Sequence, residues 1–334
     1  MAEQRFLVVR TSSLGDIIHT LPAAACLRDS FPDARIDWLV DRKWRDLLHG
    51  NPDLNQVVEI DRADWSQLAG CVQQLRSASY TTALDFQGLY RSAILAFASG
   101  APRRFGFDRN HAREGLASLL YNQPTAPQGA HKVDQNISLA EAAGAAKPRT
   151  VRFPLAACRQ AEDWIAAKLQ KFSLGDFFAF SPGGGWMSKC WPADCYGALH
   201  RELNHKYGWR GVVSFAPGER ELADAAVRAA GSPEPVLLEM NLPQLMALLR
   251  RAKVFVAGDT GPLHLADALG TPVVGLFGPT DPARNGPYGA ENVAVRNALP
   301  EATTYERGAS HSATMMSITV AQVMTAVGRR LGRG

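Results

Sequence analysis

Short apolar runs alternate with longer amphipathic stretches along most of the chain. Arg5–Val9, Arg35–Val40, Gln56–Ile60 and Thr82–Phe86 have the length and apolar content of buried strands. Between them, Ile17–Asp29, Arg42–Gly50 and Trp65–Ser77 carry apolar residues at helical spacing. The stretch Gly144–Pro154 (GAAKPRTVRFP) is small, basic and broken by proline, which predicts a linker. The alternation then resumes. Strands are predicted at Phe177–Phe180, Gly211–Phe215, Pro235–Glu239, Val254–Ala257, Val273–Phe277 and Asn292–Val295. Helices are predicted at Ala161–Leu169, Tyr196–Tyr207, Glu219–Ala230, Leu242–Arg250, Leu263–Leu269 and Ile318–Leu331, the last with a basic end at Arg329, Arg330 and Arg333. Alternation of this kind implies α/β architecture, with parallel sheets covered by helices. We expect two Rossmann-like, doubly wound domains at 1–150 and 151–315, and a C-terminal helix at 316–334 that returns to the first domain. Ligands are expected in a cleft facing the strand C-terminal ends.

Composition changes this picture little. The 334 residues suit two domains with sizeable cores, and 46% hydrophobic with 20% charged residues is ordinary for a globular chain. The net charge of +4 is too small to argue for nucleic acid, but it suits anionic ligands or an anionic membrane surface. The five cysteines are scattered without metal-like spacing, as expected for reduced thiols. Phe6–Val9 is too short for a signal-peptide core, and no apolar run approaches a membrane span. The expected location is the cytoplasm.

The chemistry gathers where predicted strands end. Val254–Ala257 runs into Gly258-Asp259-Thr260-Gly261, with Pro262 at a first helical position and His264 one turn on. Backbone N–H groups and the helix dipole make such a turn an anion site. Phe180 leads into Ser181-Pro182-Gly183-Gly184-Gly185-Trp186-Met187-Ser188-Lys189, a glycine cradle followed by a mobile cation. It lacks the Gly-Lys-Ser/Thr of a Walker loop. The first strand runs into Thr11-Ser12-Ser13-Leu14-Gly15-Asp16, where Ser12 or Ser13 can cap the next helix and Asp16 sits in its first turn. An Asp there is also an ordinary helix-start residue. No GxGxxG follows this strand, so no nicotinamide fingerprint is present. Glu219 at another strand end suits a ribose diol or a simple helix cap. Met240 suits contact with a base or plain core packing. Arg103, Arg104, Arg109, His111, Arg113, His131 and Lys132 form a basic group that suits a phosphorylated or carboxylated ligand, or only a solvated face.

Thr11–Pro22 (TSSLGDIIHTLP) resembles the N-terminal signature of the lipopolysaccharide heptosyltransferases of glycosyltransferase family 9. Gly258–Ala266 (GDTGPLHLA) resembles that family's nucleotide-sugar motif, and Lys189-Cys190-Trp191-Pro192 and Phe277-Gly278-Pro279-Thr280 also fit. Ala112–Asn122 (AREGLASLLYN) is similar to the heptosyltransferase I branch. The resemblance implies a GT-B fold and an inverting, metal-independent transfer with no resident cofactor. The implied donor is ADP-L-glycero-β-D-manno-heptose, and the implied acceptor is the inner 3-deoxy-D-manno-oct-2-ulosonic acid (Kdo) of lipid A, met peripherally at the inner membrane. It makes Asp16 the general base, with Lys189 and the N–H groups after Asp259 stabilising the departing diphosphate. Ser12, Ser13, Gly15, Ser188, Glu219, Met240, Asp259, Thr260, Gly261, Leu263 and His264 would hold the donor. Gln87, Arg104, Arg109, Arg113, His131 and Lys132 would meet the acceptor. Heptosyltransferase II, another family 9 transferase or a GT-B nucleotide-sugar epimerase are the alternative enzymes. A two-lobed binding protein is the non-catalytic alternative.

Overall fold

The structure, a computed structural model, describes residues 4–61, 68–216, 218–306, 308 and 310–332. The chain forms two compact units that part between Ala156 and Ala157. In the first, the strands are β1 (Arg5–Val9), β2 (Arg35–Asp41), β3 (Gln56–Ile60), β4 (Thr82–Asp85), β5 (Arg103–Phe107) and β6 (Gln123–Thr125). Its helices are α1 (Leu14–Ile18), α2 (Leu21–Ser30), α3 (Arg45–Leu48), α4 (Leu68–Ser77), α5 (Tyr90–Ala98) and α6 (Lys132–Ala142). All strand pairs are parallel, in the order β3-β2-β1-β4-β5-β6. Strands β1 and β4 are buried on both faces, which explains their near-continuous apolar sequence.

The second unit repeats the plan. Its helices are α7 (Arg159–Lys171), α8 (Ala193–Tyr207), α9 (Arg220–Ala230), α10 (Leu242–Leu249), α11 (Gly261–Ala268), α12 (Pro282–Asn285), α13 (Ala313–Met316) and α14 (Val320–Arg330). Its strands are β7 (Phe177–Ser181), β8 (Arg210–Phe215), β9 (Val236–Glu239), β10 (Phe255–Gly258), β11 (Val273–Leu276) and β12 (Val293–Val295). They pair in the order β12-β11-β10-β7-β8-β9, the same winding as the first sheet. In each sheet the order reverses once, between β1 and β4 and between β7 and β10. In open parallel sheets of this kind, ligands bind outside the carboxyl ends of the strands at such a reversal.

Four expectations are corrected. Ile17–Asp29 is not one helix: α1 ends at Ile18, and α2 starts afresh with Pro22 in its first turn. Arg103–Phe107, absent from the strands predicted above, is a strand. Gly144–Pro154 belongs to the first unit, because Arg152 pairs with Asp53 at 2.6 Å and Asp29 at 2.7 Å. The apolar face of α14 joins the second unit's own core, where Val323, Ala326 and Val327 are buried. Residues 62–67 and Arg333 lie outside the described residues, so the predicted start of the Trp65–Ser77 helix and the last basic residue of the tail are not placed.

Candidate active site

In the second unit, β7 and β10 deliver the predicted cation and carboxylate to one point. Lys189 Nζ lies 2.6 Å from Asp259 Oδ2, and both side chains are largely buried. His264, one turn into α11, places Nε2 3.2 Å from Asp259 Oδ1. Burial alone would raise the Asp259 pKa, but His264 and the Lys189 ammonium outweigh it and hold the carboxyl well below its ordinary range. Lys189 also lies 4.3 Å over the Trp186 ring. Thr260 caps α11 and Gly261 opens it, so the unbonded N–H groups of its first turn lie beside this pair. The Ser188 and Thr260 hydroxyls are buried and make no hydrogen bond among the described residues. Each costs about 1–3 kcal/mol while it lacks a polar partner.

The Lys189 loop is braced from both sides. Trp191, two residues on, is buried, stands edge-on to Tyr196 at 5.0 Å and donates its indole N–H to Ile318 O at 2.9 Å. Burial of such a side chain contributes about 1.5–3 kcal/mol. From the C-terminal segment, Ser312 Oγ donates to Ser188 O at 2.9 Å, and His311 Nδ1 lies 2.8 Å from Cys190 O. The Glu219 carboxylate accepts from the Ala216 N–H at 2.9 Å and lies against Gly183, where any Cβ would overlap it. Glu219 thus sits over the glycine cradle, half-buried. Met240 follows β9, also half-buried.

In the first unit, Asp16 enters the first turn of α1 as predicted. Its Oδ2 accepts from the Ser13 N–H at 3.1 Å and the Ser13 hydroxyl at 2.9 Å, and its Oδ1 pairs with Arg10 at 2.6 Å. Burial would raise its pKa. Arg10, the two Ser13 donors and His19 reverse that and keep the carboxyl well below its ordinary range, ionised at neutral pH. Arg10 also donates to Phe86 O, which fixes it between β1 and the end of β4.

A second layer holds this loop. Gln87 Oε1 accepts from the N–H groups of Thr11 at 3.1 Å and Ser12 at 3.2 Å. Gln87 N–H donates to Asp85 Oδ1 at 2.8 Å, and Asp85 Oδ2 accepts the Tyr121 hydroxyl at 2.7 Å. Burial pushes the Asp85 carboxyl up, despite hydrogen bonds from Tyr121, Ser92 and Gln87. The Tyr121 ring lies across Gly106, where a Cβ would overlap it.

The other acceptor candidates divide. Arg104 is occupied: Nε donates to Leu120 O at 3.0 Å, Nη1 to Ala101 O at 2.9 Å, and the guanidinium lies over Phe97. His131 caps α6 by accepting from the Val133 N–H, and Lys132 donates to Gln135 Oε1 at 2.8 Å. Arg109 and Arg113 are exposed. Sequence reasoning gave Arg10, Asp85 and Tyr121 no role of their own, and missed the His311–Ser312 brace.

An ionised carboxylate in the first turn of α1 on one Rossmann-like unit, and a lysine beside the α11 N-terminus on the other, are groups of the kind that glycosyl transfer uses. The profile of "Glycosyltransferase family 9 (heptosyltransferase)" matches residues 69–314. Lipopolysaccharide heptosyltransferase 1 of Pseudomonas aeruginosa is 31% identical, with 93% of this chain and 88% of that one covered. Lipopolysaccharide heptosyltransferase 1 of Escherichia coli K12 is 28% identical over 87% of this chain and 93% of that one. The solved E. coli heptosyltransferase WaaC with ADP superposes with a TM-score of 0.76 at 26% identity, covering 99% of both chains. The fold is GT-B and the protein is a glycosyltransferase. The chain belongs to glycosyltransferase family 9.

Proposed function

We propose that this enzyme moves a heptosyl group from ADP-heptose to the inner Kdo of lipid A, with inversion and without a divalent metal, at the cytoplasmic face of the inner membrane. The observation that carries this reading is the pairing of chemistry with topology. An ionised Asp16 stands at the β1/β4 reversal, and Lys189 with the α11 N-terminus stands at the β7/β10 reversal. Asp16 takes the proton of the acceptor hydroxyl as its oxygen attacks the anomeric carbon. The bond to the diphosphate breaks, and its charge falls on Lys189 and the N–H groups of Gly261 and Leu263. Those donors supply the stabilisation that a metal would otherwise give. Glu219 and Met240 are assigned to the nucleoside. The names of the relatives support the sugar and the lipid class.

The test is incubation with a panel of nucleotide sugars and Kdo-lipid A, with and without EDTA, scored for ADP release and for product anomeric configuration by NMR. Acceptor-dependent ADP release from ADP-heptose, unchanged by EDTA and with inversion, is expected. Turnover of a nucleotide sugar without any acceptor, or a strict metal requirement, overturns the reading.

A further inference from the structure

Helix α5 turns its largest apolar side chains outward. Tyr90, Ile94 and Phe97 fall at i, i+4 and i+7 on one helical face, and Ile94 and Phe97 are 52% and 54% exposed. Its buried face is made of smaller groups, Ser92, Ala93 and Ala96, with Leu95. The 3₁₀ turn Gly115–Leu120 packs beside α5 and adds Leu116 and Leu119, the latter 74% exposed. Glu114 locks the two segments together: its carboxylate accepts from the Tyr90 N–H at 2.6 Å, and its own N–H donates to Gly88 O at 2.9 Å. Single exposed apolar residues are ordinary; five on two adjoining segments form a patch, and patches mark contact surfaces.

The charge along the segments that carry this patch is mainly positive. Between Tyr90 and Tyr121 stand five arginines (91, 103, 104, 109 and 113) against two acids, Asp108 and Glu114. Both acids are already engaged, Asp108 with His111 at 2.6 Å and Glu114 with Tyr90. Arg91 lies one helical turn before Ile94, and Arg104 rests over the Phe97 ring at 5.1 Å. An apolar centre with a cationic rim matches an anionic bilayer: aliphatic and aromatic groups enter the acyl boundary, while guanidinium groups meet lipid phosphates. A second copy of the chain on this face would set arginine against arginine.

We propose that the outward face of α5, with Leu116 and Leu119, is the surface by which this enzyme rests on an anionic lipid bilayer. The inference rests on the reading of the acceptor as a membrane lipid and names the contact that reading requires. The test is flotation of the full chain with vesicles of phosphatidylglycerol and phosphatidylethanolamine, against phosphatidylcholine alone. Ile94→Ser, Phe97→Ser and Leu119→Ser are combined in one variant. Leu299→Ser, exposed in the second unit, serves as control, and thermal melting checks that each variant is folded. The wild type and the control should float with anionic vesicles and detach as salt rises. The triple variant should bind roughly tenfold more weakly or worse, with unchanged turnover on a deacylated, water-soluble acceptor. A triple variant that floats like the wild type overturns the proposal, as does a wild-type protein that binds neither vesicle or that forms a dimer split by the triple change. Absence of transfer by the wild type on every acceptor would instead sink the transferase reading, because flotation is measured without turnover.

Discussion

Asp16, the proposed base, is surrounded by donors that favour its ionised form. Three hydrogen bonds, one of them from Arg10, stabilise the charged form. A carboxyl depressed in the folded state contributes stability that is present above its unfolded pKa and lost as pH falls through the folded value. Asp16 therefore stays ionised down to strongly acidic pH, and the acid limb of kcat/KM should not come from it near neutrality. Asp16→Asn should lower kcat by roughly 10²-fold or more. Arg10→Gln removes an opposing charge while burial remains, so the Asp16 pKa must rise and the acid limb must move toward neutral pH. A pH–rate profile of Arg10→Gln that superposes on the wild type would show that Arg10 does not tune the base. Asp16, Lys189, Asp259 and His264 were legible because each follows an apolar strand at a polar, glycine-containing turn. Arg10 was not, because one arginine after a strand looks like any other, and only the fold brings it to Asp16 and to the end of β4.

At the scale of elements, β4, β5 and the turn before β6 combine to hold the Thr11–Asp16 loop. Tyr121 reaches Asp85 across Gly106, and Asp85 orders the turn from which Gln87 grips Thr11 and Ser12. Asp85→Asn retains the acceptor oxygen for the Gln87 N–H and should keep most activity, because burial already disfavours the charge there. Asp85→Ala removes it and should cost roughly 10- to 100-fold in kcat through misplacement of the loop, with ADP affinity unchanged. Equal losses in the two variants, measured by steady-state kinetics and ADP titration, would refute the positioning role. The apolar pattern failed to announce β5 because RRFGF opens with two charges and carries a glycine. It failed to announce α5 because large apolar groups face outward opposite a buried face of small ones, so no one-sided stripe stands out. The elements hardest to read are those that carry a second duty: β5 clears space for Tyr121, and α5 presents an apolar surface.

At the scale of the whole molecule, the same strand order is used twice with opposite chemistry at the reversal. The first unit offers a carboxylate there, and the second a lysine and a helix N-terminus. The twofold alternation was plain in the sequence, whereas the ownership of α14 was not, since an amphipathic helix does not name the core it joins. Donor and acceptor effects should therefore separate by unit. Lys189→Ala deletes the cation that the proposal assigns to the diphosphate, a charge-assisted contact of about 1.5–3 kcal/mol, so ADP binding by calorimetry should weaken roughly 10- to 100-fold. Asp259 would then keep only His264, and its carboxyl should titrate at a higher pH than in the wild type. Arg109→Gln with Arg113→Gln changes only exposed groups of the first unit. That pair should raise the acceptor KM and flatten its salt dependence, since guanidinium–phosphate attraction is what salt screens. ADP affinity should stay at the wild-type value in the arginine pair, and acceptor KM should move far less than ADP affinity in Lys189→Ala. Loss of ADP binding in the arginine pair with normal acceptor kinetics would mean that donor and acceptor have been assigned to the wrong units.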